Sequence, residues 1–449
     1  MNELQKNTQI PILKLIFFVI TTFTVAFFIL YFYDLAFNFN TLLFIILTPL
    51  IISPFFLSRD VMHPFVVFFL TSQFLFIFNM LDINSNKKSL IYSRFASDYY
   101  DTAFTWSILI IIIWYVSMYI GYFFTKSNNK LVRTNDIKNP IFISMILIIV
   151  GIISFLYIFY LKGGIEGILN ALTNRRESYS GLAYFIKLTG LITIGSLILL
   201  SKGYKKSSLL LILISFALLS LFGGRGNAFF GSVFPYLIYY HYRVKKIRFI
   251  QLLPIGLLTV IFILLLGNYR LYQEFKLNIT GFYDMISKLA HNTQGGNILP
   301  SLVGSLIRGE IEYQYGSTLI NIIYAPIPRS VWAEKPLIDE SGIVGQLLMG
   351  SEYWGLPPGP YGIAFLNFSF IGVIVFGFIT GMVVRRLYVN FVLKKNTDLS
   401  LIFYILALPY VFNIVSTSSQ INIIWYIGIF IIIKFLDSFI LILKNKKVI

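Results

Sequence analysis

Long apolar runs recur along the whole chain and alternate with short polar or basic segments. A helix of about 20 apolar residues crosses the roughly 30 Å hydrocarbon core of a bilayer with its backbone hydrogen bonds satisfied internally. The pattern therefore predicts an all-α, polytopic integral membrane protein with about twelve transmembrane helices. The predicted spans are residues 10–33, 39–57, 64–82, 104–124, 140–160, 182–200, 208–222, 227–242, 249–267, 361–383, 399–415 and 421–442.

The composition agrees with a bilayer environment. Hydrophobic residues make up 57% of the 449-residue chain and charged residues only 12%, whereas soluble domains carry roughly 25% charged residues. The first apolar run is too long for a signal peptide, so we interpret it as a span. The chain contains no cysteine, which excludes disulfides, thiolate nucleophiles and cysteine-ligated zinc.

The basic residues predict the orientation. The net charge is +17, and the basic clusters occupy short turns near residues 126–138, 202–206, 243–248, 385–395 and 444–447. An excess of Lys and Arg marks the cytoplasmic side, so both termini are predicted to be cytoplasmic. Because these residues lie beside the ends of membrane spans, the charge is a topology signal and does not indicate nucleic-acid binding.

The longer loops fall on the predicted outer side. Residues 161–181 form a medium loop and residues 268–360 a large one, within a single transmembrane domain over residues 1–449. A transporter needs polar sites within the membrane and short loops. Away from their ends, the predicted spans hold only three charged residues, Lys187, Lys434 and Asp437. The functional groups are therefore expected in the outer loops.

The 161–181 loop combines a short helix with two arginines. Its apolar residues follow the i, i+3, i+4, i+7 spacing of a helix on a membrane surface: Ile165, Ile168, Leu169 and Leu172. Arg175, Arg176 and Glu177 come next. Guanidinium groups pair with phosphate oxygens in bidentate fashion and stay charged, so both arginines are candidates to bind a diphosphate. Contact with lipid headgroups or with Glu177 is the alternative.

Two further arginines lie at predicted membrane ends. Arg225 stands between two spans in Gly223-Gly224-Arg225-Gly226. A charge there is costly unless it faces a polar cavity, and glycines leave room for a ligand. Arg270 opens the large loop, at the level of a lipid-linked phosphate, which is also where a snorkelling arginine would lie.

The large loop also holds titratable groups. His291 is either a general base or a hydrogen-bonded structural histidine. Glu310 lies two residues beyond Arg308, and Glu312 follows it after one isoleucine. Elsewhere on the outer side the nearest acidic pair is Asp98 and Asp101, which is too weak a set of ligands for a divalent cation. No metal is predicted.

The most distinctive part of the large loop is Tyr324–Pro336. Prolines at positions 326, 328 and 336 make it stiff and non-helical. Arg329 and Lys335 suit a diphosphate, and Tyr324 and Trp332 suit stacking on a sugar ring.

With these segments the chain resembles the Wzy-type oligosaccharide repeat-unit polymerases, which include the O-antigen polymerases. The resemblance rests on the layout of spans with one large loop, on Arg225 in its glycine turn and on Arg175-Arg176. Above all it rests on Pro328-Arg329-Ser330-Val331-Trp332-Ala333-Glu334-Lys335-Pro336.

The resemblance implies a membrane glycosyltransferase of lipopolysaccharide or related polysaccharide biosynthesis. With no metal predicted from the outer loops, it would be metal-independent, and no cofactor is expected. Its substrates would be oligosaccharides on undecaprenyl diphosphate, at the periplasmic face of a bacterial inner membrane. A growing chain would pass en bloc from its carrier to the non-reducing end of a new unit. Membrane lipids and a separate chain-length regulator would be partners, and nucleic acid would not.

In that reaction the arginines would neutralise the leaving diphosphate while another group takes the acceptor hydroxyl proton. The expected diphosphate-binding residues are Arg175, Arg176, Arg225, Arg270, Arg329 and Lys335. The candidate bases are Glu177, His291, Glu310 and Asp339, and the sequence does not choose among them. The expected sugar-stacking residues are Trp332 and Tyr324.

Two rival functions stay open. An O-antigen ligase would share the lipid-diphosphate donor and a large outer loop with arginines, but would transfer the polymer to lipid A–core. A repeat-unit flippase, which is a transporter, would also have about twelve spans.

Overall fold

The computed structural model describes residues 39–58, 60–69, 97–125, 136–173, 178–179, 181–222, 228–272, 295–327, 331–332, 334–352, 354–394 and 397–446, with positions 20, 22, 24, 73 and 76. Regular structure in these residues is helical. In chain order the helices are α1 (Phe39–Leu57), α2 (Pro64–Phe68), α3 (Ser97–Phe124), α4 (Pro140–Leu161), α5 (Ile165–Thr173), α6 (Ala183–Thr189), α7 (Leu191–Ser201), α8 (Lys205–Ser220), α9 (Phe234–Arg243), α10 (Phe249–Tyr272), α11 (Gly295–Ile307), α12 (Ser317–Ile320), α13 (Glu340–Met349), α14 (Gly359–Leu387), α15 (Asp398–Val411) and α16 (Thr417–Lys446).

Six helical stretches among the described residues are long and apolar enough to cross a membrane. They are Tyr99–Phe124, Pro140–Leu161, Ala183–Ser201, Phe249–Tyr269, Gly359–Leu393 and Thr417–Leu443. Each covers most or all of a span predicted from the apolar runs, which confirms a polytopic helical membrane protein. The total of about twelve spans and the orientation stay predictions. The first predicted span, residues 10–33, lies almost wholly outside the described residues.

Residue contacts divide the chain into two compact units that interleave along the sequence. Unit 1 comprises Met1–Phe124, Tyr283–Ile320 and Asp339–Met382, and unit 2 comprises Thr125–Phe282, Asn321–Ile338 and Val383–Ile449.

In unit 1, helix α3 packs against α1 and α11 and meets α14 through glycines. A Cβ on Gly121 would lie 2.0 Å from the Phe378 carbonyl oxygen, and one on Gly381 would lie 1.9 Å from that of Met118. Only glycine fits at either position. Small residues that let two backbones approach closely are typical of helix contacts within membranes.

Helix α14 is kinked, although the sequence predicted one continuous span over 361–383. Phe368 has φ −140° and Ser369 has φ 53° with ψ −147°. The break follows Asn367, whose buried side chain binds a neighbouring segment. A tertiary contact of this kind leaves no mark in the apolar pattern.

The predicted large loop contains more helix than its length and polarity indicated. Helix α10 continues to Tyr272, and α11 and α13 lie inside the loop. Leu299, Leu302 and Val303 on α11 are fully buried, and α11 packs on α3. This part of the loop is therefore built into the core of unit 1.

Unit 2 is centred on α4 and α7, which pack closely. A Cβ on Gly195 would lie 2.8 Å from the Ser144 carbonyl oxygen, and the Ser144 hydroxyl donates to the Gly195 carbonyl oxygen at 2.6 Å. The predicted span 182–200 is split into α6 and α7 at Gly190.

Two of the charges predicted within spans have structural contacts in unit 2. The Asp437 carboxylate accepts from the backbone N–H groups of Lys138 and Asn139 at 2.9 and 2.8 Å, immediately before α4. An anion at a helix N-terminus is stabilising. The Lys187 ammonium lies 6.0 Å from the centroid of the Trp425 ring. These contacts give each of the two charges a defined neighbour within unit 2.

Candidate functional site

The described flanks of two arginine-bearing segments meet in unit 2. Arg175, Arg176 and Glu177, and likewise Arg225, lie outside the described residues. The residues on either side of these segments share one buried apolar cluster, which includes Ile168, Ala171, Tyr179, Phe222 and Ala228.

Tyr179 joins the two flanks directly. Its hydroxyl donates to the Leu221 carbonyl oxygen at 3.2 Å. Its ring meets that of Phe222 edge to face, with centroids 5.6 Å apart. The described residues that flank segments 174–177 and 223–227 therefore pack against each other, and we call this packing the common base of the two segments.

Lys162, which is not among the residues predicted from the sequence, adds a cation at this base. Its ammonium donates to the Ser178 carbonyl oxygen and lies 5.6 Å from the centroid of the Tyr179 ring. Lys162 caps α4, because Gly163 and Gly164 have φ of 74° and 87° and their N–H groups bind the Tyr160 and Phe159 carbonyls. The Lys-Gly-Gly sequence at a helix end was the available signal.

Arg270 lies two residues before the end of α10, so this helix extends past the predicted span. Only its backbone is described. Helix α10 contacts α5, the helix that leads to Arg175. The predicted helix of the 161–181 loop is confirmed as α5, with Ile168 and Leu172 buried and Ile165 exposed. Its position on a membrane surface stays a prediction.

The segment Asn321–Leu337 in unit 2 is closed on itself. The Asn321 side-chain amide donates to the Leu337 carbonyl oxygen at 2.7 Å. The rings of Tyr324 and Trp332 meet edge to face at 5.4 Å. The described residues between Ala325 and Asp339 form turns and irregular structure, as the prolines predicted. Arg329 lies outside the described residues.

Lys335 closes this segment with its side chain. It is 8% exposed, and its ammonium donates to the carbonyl oxygens of Ala325 at 3.1 Å and Ile327 at 2.6 Å. We name this arrangement the Lys335 clasp. Its ammonium thus binds backbone in this structure, and the predicted binding of a diphosphate by Lys335 stays a prediction.

Glu310 in unit 1 is the candidate base with the most definite surroundings. The Glu310 backbone N–H donates to the Ser305 carbonyl oxygen at 2.9 Å, and the Gly309 N–H donates to the Leu306 carbonyl oxygen at 3.1 Å. This pair of bonds is the Schellman pattern of a helix end. The Glu310 carboxylate accepts from the Ser305 hydroxyl at 3.0 Å and pairs with Arg308 at 3.3 Å, while 37% of the side chain stays exposed.

Arg308 is itself held in place. Its guanidinium lies 4.3 Å from the centroid of the Tyr99 ring, and the Tyr99 hydroxyl is 3.5 Å from the Gly304 carbonyl oxygen. The carboxylate of Glu310 is therefore oriented by groups from α3 and α11.

The other candidate bases differ in their setting. Asp339 precedes α13, is exposed, and accepts from the hydroxyl of Ser341 two residues later. His291 and Glu177 lie outside the described residues. The structure thus groups Tyr324, Trp332 and Lys335 in unit 2, and places Glu310 and Asp339 on separate elements of unit 1.

Within the described ranges, no group of three or more His, Asp or Glu side chains is arranged to hold a metal ion. The prediction that the chain needs no metal stays a prediction.

A family model described as "O-antigen polysaccharide polymerase Wzy" matches residues 13–339. No curated protein and no solved structure matches the chain.

Proposed function

Because the chain belongs to the O-antigen polysaccharide polymerase Wzy family, we propose that it joins undecaprenyl-diphosphate-linked oligosaccharide repeat units at the periplasmic face of the bacterial inner membrane. The growing polymer passes en bloc from its carrier to the non-reducing end of a new unit. The bond between the anomeric carbon and the carrier diphosphate breaks, and the acceptor oxygen forms the new bond to that carbon. The hydroxyl proton goes to a general base.

The observation that carries this proposal is the common base of the 174–177 and 223–227 segments, formed by Tyr179 and Phe222. Three arginines and Lys162 belong to these segments or their flanks. A diphosphate is already a good leaving group, so catalysis requires mainly that its developing charge be neutralised in place. The arginines of two segments whose flanks pack together would supply such a site.

In this proposal Arg175, Arg176 and Arg225 bind the diphosphate, together with Arg270 and Arg329. Glu310 is the first candidate for the base, because its carboxylate is oriented and still accessible. Glu177, His291 and Asp339 remain alternatives. Tyr324 and Trp332 offer ring surface to a sugar of the donor. No step requires a metal, and a separate membrane protein regulates chain length.

The test is a gel of surface lipopolysaccharide from the host strain with this gene deleted. The expected result is core carrying a single repeat with the long ladder lost, restored by the wild-type gene. Bare core without any repeat would indicate a ligase or a flippase and would overturn the proposal.

Arg329→Ala in the complementing gene tests the site. It should abolish the ladder while the protein still inserts, and the matched variant Arg248→Ala, at an exposed position outside the site, should restore it. A full ladder from Arg329→Ala would remove Arg329 from the site.

A further inference from the structure

One exposed aromatic residue of unit 1 is held in an unfavourable backbone conformation. Tyr315 has φ 44°, in the left-handed region that residues with a Cβ rarely adopt. Its side chain is 78% exposed, so burial of the ring does not compensate for the strain. Backbone strain of this kind is found mainly at functional sites, where the surrounding structure enforces it.

The surrounding structure that enforces it is the kinked part of α14. The fully buried Asn367 accepts with its side-chain oxygen from the Gly316 N–H at 3.1 Å and from the Thr318 hydroxyl at 2.9 Å. The Gln314 N–H binds the Leu366 carbonyl oxygen at 2.9 Å. Hydrogen bonds on both sides of Tyr315 therefore fix its backbone.

The Tyr315 ring also contacts another aromatic ring on one side. Tyr313 lies 6.3 Å from the Tyr315 ring, centroid to centroid, and 5.8 Å from the ring of Phe365 on α14. Tyr313 is half-buried, so it links the exposed ring to the core of unit 1. A tyrosine with few free torsions offers a large rigid contact surface at a small cost in conformational entropy.

Three charged residues precede Tyr315 closely in the sequence. Glu310 and Arg308, with 37% and 38% of their side chains exposed, and the exposed Glu312 all lie within seven residues of it. A membrane anchor would need only a tyrosine at the bilayer interface, without a strained backbone or a buried asparagine to hold it. The exposed aromatic face suits the apolar face of a sugar ring, and the carboxylates nearby in the sequence are groups that accept hydrogen bonds from sugar hydroxyls.

We propose that Tyr315, held by Asn367 and braced by Tyr313, is a sugar-binding platform that takes the oligosaccharide of the acceptor repeat unit. The assignment to the acceptor rests on the proposed polymerase function. The sugar site itself does not, because it needs neither the carrier nor the diphosphate.

The experiment measures binding of carrier-free oligosaccharide, released from the host's own surface polysaccharide by mild hydrolysis, to the full-length protein in nanodiscs. Tyr315→Phe keeps the ring. Tyr315→Asn removes it with a residue that tolerates positive φ, and Tyr315→Gly does the same as a second variant. We expect wild type and Tyr315→Phe to bind equally and the other two about tenfold more weakly.

Equal binding by wild type, Tyr315→Asn and Tyr315→Gly would overturn the proposal and leave a membrane-anchoring role for the ring, as would no binding by the wild type. These outcomes are separate from the deletion gel. Ring-dependent binding together with an intact ladder in the deletion strain would keep the sugar site and refute the polymerase. A lost ladder with ring-independent binding would keep the polymerase and refute the sugar site.

Discussion

Lys335→Met tests whether Lys335 holds the Asn321–Leu337 segment closed or binds the diphosphate. Methionine keeps most of the aliphatic stem and removes the ammonium, so the carbonyls of Ala325 and Ile327 lose a charged donor. A hydrogen bond to a charged group contributes about 1.5–3 kcal/mol when both partners are buried. Ala325 is half-buried and Ile327 exposed, so water replaces part of the loss. We expect about 2 kcal/mol in total for the closed state of the segment.

A loss of about 2 kcal/mol raises the population of the open segment roughly 30-fold. Hydrogen exchange measured by mass spectrometry on a peptide covering residues 321–337 should detect it. The N–H groups of Ala325, Ile327 and Lys335 are bonded within the segment, so their exchange should accelerate by about that factor. Glu334→Gln, at the exposed neighbouring position, should leave the exchange unchanged.

The two readouts together identify the role. Faster exchange with loss of polymer supports the Lys335 clasp as a positioning device. Unchanged exchange with loss of polymer would refute the clasp and return Lys335 to the diphosphate, as the sequence suggested. Normal exchange with normal polymer would refute both roles.

Three further substitutions test other parts of the structure. Arg175→Lys keeps the charge but removes the bidentate fork, and should abolish the polymer ladder with the protein still inserted; a normal ladder would indicate a headgroup contact. Glu310→Gln should lower kcat by about 100-fold in reactions with purified lipid-linked units, and a change confined to KM would argue against the base. Gly381→Ala places a Cβ 1.9 Å from the Met118 carbonyl oxygen and should deplete folded protein on size-exclusion profiles, whereas Gly428→Ala, with open space around it, should not.

The apolar pattern predicted helix positions well because burial in a bilayer depends on composition over a whole run of residues. It overlooked α11, although Ile298, Leu302 and Leu306 are spaced four residues apart and are buried. The polar stretches on either side placed α11 in a predicted loop, and Pro300 lies within it. Its assignment to the core required the contact with α3.

The residue types of the candidate site come from the sequence and stay a prediction, whereas the partners of the described side chains come from the structure. Glu310 lies beside Arg308 in the sequence, and the structure pairs them. Lys162 binds a backbone carbonyl 16 residues away along the chain, and Lys335 binds one 10 residues away. No property of a lysine in a sequence reveals which carbonyl it will meet, because the fold brings the two together.

These partners point to different uses for lysine and arginine in unit 2. Lys162 and Lys335 both donate to carbonyl oxygens at the base of a segment that contains arginine. A compact ammonium with three donors suits this task, whereas a planar guanidinium suits the paired oxygens of a phosphate. If lysines hold the segments and arginines bind the ligand, a Lys→Arg substitution and an Arg→Lys substitution should have different effects. Lys335→Arg should accelerate hydrogen exchange at residues 321–337, because the larger planar group cannot fit the clasp. Arg175→Lys should leave exchange of α5 unchanged and remove only the polymer.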